Sequence, residues 1–223
     1  MRGGALSTTE ASELLDAGYK DIKDALHVGR WTLDTEISTK RSKVYVNEPT
    51  KKVYVVHAGT DSASDWLNNT VVFNTRYLNT KRYQAAAIVQ SEALFKYGPI
   101  GTVFQGKVNT LSHSQGGGIV ANLIKNGLAP FNNLTVNPAV IGHHKNLRVI
   151  RSNRDAVSLL SRPEISIGAL SKNPLLEHST DILKRIQKNL SDTERVSARK
   201  TGRRTGRATT RKSALKSAMR KWL

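Results

Sequence analysis

A chain of 223 residues with a formal net charge of +18, 38% hydrophobic and 6% aromatic residues is long enough for one domain with a real core and too short for two large ones. It has no cysteine, which excludes disulfides, thiolate metal sites and a cysteine nucleophile, and its six histidines show no zinc spacing. No segment approaches the roughly 18–20 apolar residues a membrane span needs, and the opening MRGGALSTTEASELL lacks the apolar h-region of a secretory signal.

In chain order, Ser7 and Glu10 form a capping-box pattern, and Ala11, Leu15, Tyr19, Ile22 and Leu26 follow at helical spacing. SKVYV and KKVYVVHAG bracket Asn47-Glu-Pro-Thr50 and read as two strands joined by a turn. DWLNN (65–69) reads as a loop. A long helix is expected over 80–97, with Tyr83, Ala87, Gln90, Leu94 and Tyr97 on one face and Gly98-Pro99 as the stop. KVNTL (107–111) is a short strand, 115–126 a helix ended by Gly127, and NLTVNP and NLRVIRS two more strands. Strands alternating with helices predict an α/β fold, a mostly parallel sheet with helices on both faces. The body is expected to span 1–190, followed by a basic tail over 191–223.

The segment VNTLSHSQGGGIVANLIKNG (108–127) sets a serine at the corner between strand and helix. Ser114 at the tip is expected in a strained conformation, with its hydroxyl pushed out above the sheet. The residues two before and two after must be tiny because strand and helix pass close; Ser112 and Gly116 are. The helix N-terminus turns free N–H groups and a positive dipole end toward the same point. There the Gln115 N–H is one candidate donor to an oxyanion. A Gly-rich phosphate-binding turn is the competing reading, although GGGIV lacks the lysine of a P-loop.

A serine nucleophile needs a base, and the base an orienting acid. On a hydrolase sheet the order is Ser, then Asp or Glu, then His. Asp155 lies just past a later strand, and His178 is the only histidine after it. Taken singly, Asp155 also reads as the cap of a helix beginning near Ala156, and His178 as a surface histidine.

Four segments in this order resemble the fungal-type (class 3) lipases of the α/β-hydrolase fold: VYVVHAGTDSASDWLNN, LSHSQGGGIVANL, NPAVIG and RSNRDAV. The resemblance covers roughly residues 43–178. It implies a carboxylic ester hydrolase with Ser114 as nucleophile, Asp155 as acid and His178 as base. It also implies that the Thr60 N–H joins that of Gln115 in the oxyanion hole, with Asp65 bracing the loop. Three features depart from the family pattern: His57 stands for its arginine, Ser112 for its first elbow glycine, and the stretch from Asp155 to His178 is short. His143 and His144 precede Asp155 and rank second as bases, while His113 and His57 tune or pack. TVVF (70–73) would line an acyl groove, which suggests a lipid ester, a phospholipid more than a triglyceride. Hydrolysis through an acyl-enzyme calls for no metal or organic cofactor.

From Arg195 onward there are eleven Lys or Arg and no acid. Arg199, Lys200, Arg203, Arg204, Arg207, Arg211 and Lys212 stand among Ser, Thr, Gly and Ala, a composition that does not fold alone and suits phosphate contact. Leu215, Ala218, Met219 and Trp222 then lie opposite Lys216 and Arg220, as in a short basic amphipathic helix for an anionic membrane surface or a partner groove. The expected partners are a lipid ester and, through the tail, nucleic acid or an anionic membrane. Such a pairing suits a virus particle. Met1-Arg-Gly-Gly also resembles the M-x-G-G site of adenovirus-type maturation proteases. The alternative is a catalytically silent hydrolase fold serving as a virion or nucleic-acid-binding protein.

Overall fold

Strict alternation builds the centre of the sheet. On the strand Ser42–Asn47, Val44 and Val46 face one way and Tyr45 the other; on the strand Lys52–His57, Val53 and Val55 oppose Tyr54 and Val56. A computed structural model describes residues 6–60, 78, 80–98, 108–129, 132–140, 145–158, 161, 163–174 and 176–185. Asp65, the 70–73 run, His143, His144, the Met1-Arg-Gly-Gly match and the whole basic tail lie outside these residues.

Among the described residues eight strands form one sheet in chain order. They are β1 (His27–Val28), β2 (Trp31–Leu33), β3 (Ser42–Asn47), β4 (Lys52–His57), β5 (Val108–His113), β6 (Asn133–Val136), β7 (Leu147–Ser152) and β8 (Ile165–Ile167). From β1 to β4 neighbours run antiparallel; from β4 to β8 they run parallel. The helices α1 (Thr8–Tyr19), α2 (Lys81–Tyr97) and α3 (Gln115–Lys125) cover it. Leu14 and Leu15 of α1 pack on one face with Tyr45, Tyr54, Val56 and Leu111. Val89, Ala93 and Tyr97 of α2 pack on the other with Val44, Val46, Val53, Val55 and Val108, and α3 lies on that same side. Two successive right-handed crossovers in one direction put both helices on one face. The result is the α/β architecture expected from the sequence, a sheet parallel from β4 to β8 with helices on both faces.

The expected helix over 80–97 is α2, capped by the Thr80 hydroxyl accepting from the Tyr83 N–H. The capping box at Ser7 and Glu10 is formed reciprocally. The first helix is shorter than its periodicity suggested. It stops at Tyr19, Lys20 is extended, and Leu26 is 40% exposed rather than on a buried helical face. Its end is fixed by Lys43, a fully buried residue of β3. The Lys43 ammonium donates to the Gly18 and Lys20 carbonyls at 3.0 and 2.8 Å and to Lys40 at 2.6 Å. The Gly18 carbonyl belongs to the last turn of α1, where carbonyls have no partner within the helix. Burial, with Arg41 nearby, pulls the Lys43 pKa down to about 8.

Ile182 and Leu183, both 0% exposed, insert into the α1-side core just after His178. Each such burial is worth about 1.5–3 kcal/mol. That anchors the segment carrying His178 to the body. No helix among the described residues is long and apolar enough to cross a membrane.

Candidate active site

β5 runs two residues past the expected Leu111, through His113, so the corner falls on a single residue. Ser114 has φ 55° and ψ −126° and is the N-cap of α3, but its side chain makes no capping bond. Positive φ places Cβ against the backbone and costs a non-glycine residue on the order of 1–3 kcal/mol. The strain is held by neighbours: the Ser114 carbonyl accepts from Gly117 and Ala139, each at 2.9 Å, and its N–H donates to Val136 at 3.3 Å.

The tiny residues have identifiable neighbours. A Cβ on Gly116 would lie 2.0 Å from the His57 carbonyl oxygen, and one on Gly117 would lie 2.5 Å from Pro138 Cβ and Thr135 Oγ1. The glycine run thus lets the start of α3 settle between the ends of β4 and β6. Gly59, just past β4, is equally pressed: a Cβ there would meet Ser114 Cβ at 2.7 Å and Ser114 Oγ at 3.0 Å. The chain entering the loop at Gly59-Thr60 therefore passes directly against the corner serine. Ser112 is fully buried where the family pattern has glycine, its hydroxyl 3.5 Å from the Leu134 carbonyl.

At the carboxyl end of β7, Asp155 is 0% exposed and its Oδ1 accepts from His178 Nδ1 at 2.9 Å. The Val157 N–H at 3.1 Å and the Ser158 hydroxyl bind the same carboxylate. Residues 156–158 form bends rather than the helix start that a capping role for Asp155 requires. His178 is not a free surface histidine either, since its side chain is 12% exposed. A carboxylate on Nδ1 fixes the proton there and leaves Nε2 as the acceptor. Among the described residues no hydrogen bond joins Ser114 Oγ to His178. The two elements meet through His113, whose ring centroid is 4.8 Å from that of His178.

Two buried polar residues that sequence reasoning did not single out hold the His178 segment. Asn137, at φ 44°, accepts the Ser152 N–H and donates to the Glu177 and Ser179 carbonyls at 2.8 and 3.2 Å. Glu177 is itself fully buried and accepts from Ser152 Oγ, the Leu170 and Ser171 N–H groups and Arg185 Nη1. Burial alone would raise the Glu177 pKa; the Ser152, Ser171 and Arg185 donors outweigh it and hold the carboxyl below its usual range. Asn137 opens the NPAVIG segment, which was the one available signal.

The expectation for His57 and His113 separates into two environments. His57 is buried between Ser42 Oγ at 3.0 Å and Gln90 Oε1 at 3.1 Å, and burial pushes its pKa down to about 4. His113 is buried beside the corner, with Nδ1 2.6 Å from the Tyr19 hydroxyl and Nε2 3.1 Å from the His178 carbonyl. Among the described residues no group of His, Asp or Glu could hold a metal ion.

The sequence matches no protein-family model and no curated protein. Among solved structures it is similar to the crystal structure of Lip2 lipase from Yarrowia lipolytica, with 14% identity, 69% of this chain and 74% of that chain covered, and a TM-score of 0.43.

Proposed function

We propose that this chain is a serine ester hydrolase acting on lipid esters. The single observation that carries the reading is the 2.9 Å His178–Asp155 hydrogen bond at the same sheet edge as a serine held at φ 55°. Nδ1 of His178 is occupied by the carboxylate, so Nε2 is the nitrogen able to take the Ser114 proton as Oγ attacks the ester carbonyl. The carbonyl π electrons move onto oxygen, where the Gln115 N–H at the start of α3 and the Thr60 N–H supply donors. Collapse expels the alcohol, protonated by His178 Nε2, and leaves an acyl-Ser114; water then repeats the sequence and frees the acid. The Asp155 carboxyl group, hydrogen-bonded to Nδ1, orients the ring and stabilises the transient imidazolium.

The lipid half of the reading rests on the four segments resembling class 3 lipases, and Asp65 would brace the oxyanion loop. The basic tail, by its eleven uncompensated charges, would hold the enzyme on nucleic acid or an anionic membrane. The test is hydrolysis of short p-nitrophenyl esters and of phospholipid vesicles by the full chain, with Ser114→Ala alongside. Turnover lost in the variant supports the reading. Equal rates, or none in either protein, favour the silent-fold alternative.

A further inference from the structure

One line of hydrogen bonds runs across the site without using any of the three proposed triad side chains. The Gly59 N–H donates to the Tyr19 hydroxyl at 3.0 Å, that hydroxyl meets His113 Nδ1 at 2.6 Å, and His113 Nε2 meets the His178 carbonyl at 3.1 Å. Chemistry fixes every direction in it. A carbonyl oxygen only accepts, so Nε2 carries the hydrogen; the buried ring is neutral, so Nδ1 holds a lone pair and Tyr19 donates to it. Burial and the adjacent His178 ring keep the imidazole well below the ordinary histidine range, and burial raises the tyrosine to about 12, so neither changes state near neutrality.

The residues joined are the ones whose spacing matters. Gly59 precedes Thr60, His113 precedes Ser114, and the last acceptor is the backbone of His178 itself. Gly59 has no side chain, so its N–H is the available donor by which another element can hold it. The pivot is the last residue of α1, whose end Lys43 holds through the Gly18 and Lys20 carbonyls. Tyr19 Oη and Ser114 Oγ also flank one small space: a Cβ on Gly59 would sit 2.9 Å from the first and 3.0 Å from the second.

We propose that Tyr19 and His113 are positioning residues of the Ser114 site, holding the oxyanion loop at Gly59 and the base at His178 in fixed register with the corner serine. This rests on the hydrolase reading above. It gives His113, the residue before the nucleophile, a task distinct from general base catalysis, and it makes α1 part of the active site.

The test compares full-length wild type, Tyr19→Phe, His113→Asn and the double variant. The readouts are the rate of Ser114 labelling by a fluorophosphonate, kcat and KM on p-nitrophenyl butyrate, melting temperature, and the ¹⁵N shifts of His113. Loss of register is expected to lower kcat and labelling by about ten- to a hundredfold, with KM within twofold. In Tyr19→Phe the melting temperature stays within a few degrees and the Gly59 amide loses hydrogen-exchange protection. The double variant should be no slower than the slower single one, because both cut the same line. Wild-type protein that resists labelling sinks the hydrolase reading itself. Labelled wild type with an unimpaired Tyr19→Phe, multiplying losses in the double variant, or an Nδ1–H tautomer at His113 overturns the relay alone.

Discussion

Both halves of the sheet place strained backbone in exposed turns, but only the parallel half, among the described residues, also buries it. In the antiparallel half, positive φ occurs in turns at Gly29, which is exposed, and at Lys51, which is half-buried. In the parallel half it occurs in exposed turns at Gly127 and Asn146, and also at the buried Ser114 and Asn137, at the carboxyl ends of β5 and β6, 4% and 0% exposed. A hairpin turn needs only a residue that tolerates the conformation. A buried strained residue persists only when its surroundings over-determine it, and here those surroundings are the glycine run, the Ala139 N–H and the Ser152 N–H. Strain without burial makes a turn; strain with burial and polar company makes a candidate site.

That contrast can be broken most sharply at Asp155. Asp155→Asn is expected to lower kcat by about 10⁴-fold, since an amide favours the wrong His178 tautomer, with the fold retained by circular dichroism. A loss under tenfold would make the buried carboxylate a structural feature only.

Glycine substitutions sharpen the same contrast in stability. Gly116→Ala forces a Cβ to within 2.0 Å of the His57 carbonyl oxygen, a backbone atom that cannot swing aside. A cost of about 3 kcal/mol or more is expected, or failure to fold. Gly29→Ala, at φ 55° in open space, should cost only about 1–2 kcal/mol. Denaturant titration measures both, and equal costs would remove the distinction.

His57 ends β4, the strand the two halves share, and predicts an acid limb. Its folded pKa of about 4 lies below the unfolded value, so above about pH 6.5 the ring is neutral in both states and no penalty exists. As pH falls toward 4 the unfolded chain takes up a proton the folded chain refuses, and stability drops by about 3 kcal/mol. Urea titrations between pH 7 and 4.5 should show a shallower slope for His57→Gln than for wild type, whatever the offset between them. An unchanged slope would mean that His57 protonates in place.

The smallest effect belongs to the rim of the antiparallel half. Lys96 bridges Asp34 at 2.9 Å and Glu36 at 2.7 Å but is 39% exposed at its side chain. Lys96→Ala should cost less than about 1 kcal/mol by thermal denaturation, and less still at high salt.

Much of this was legible in local pattern. The β3–β4 hairpin, α2, the corner at Ser114 and the α3 stop at Gly127 all follow from periodicity and turn chemistry within a few residues. The short strands β1, β2 and β8 were not, because two or three residues cannot display an alternation, although Gly29-Arg30 between His27-Val28 and Trp31-Leu33 is a two-residue turn. Lys43 reads as the polar member of a strand and is instead fully buried, since its partners are backbone carbonyls that carry no sequence signature. Tyr19, Asn137 and Glu177 were missed as site neighbours for the same reason: each acts on residues 15 to 94 positions away or on main-chain groups. Ser114 and Asp155 follow the carboxyl ends of β5 and β7, which the parallel topology sets along one edge of the sheet.

The most direct measurement is fluorophosphonate labelling followed by peptide mapping, on wild type and on His178→Ala. Modification at Ser114 in the wild-type protein, with the rate falling at least about a thousandfold in the variant, is the expected result. Labelling elsewhere, or labelling of Ser114 at an undiminished rate without the imidazole, would contradict a serine activated by His178.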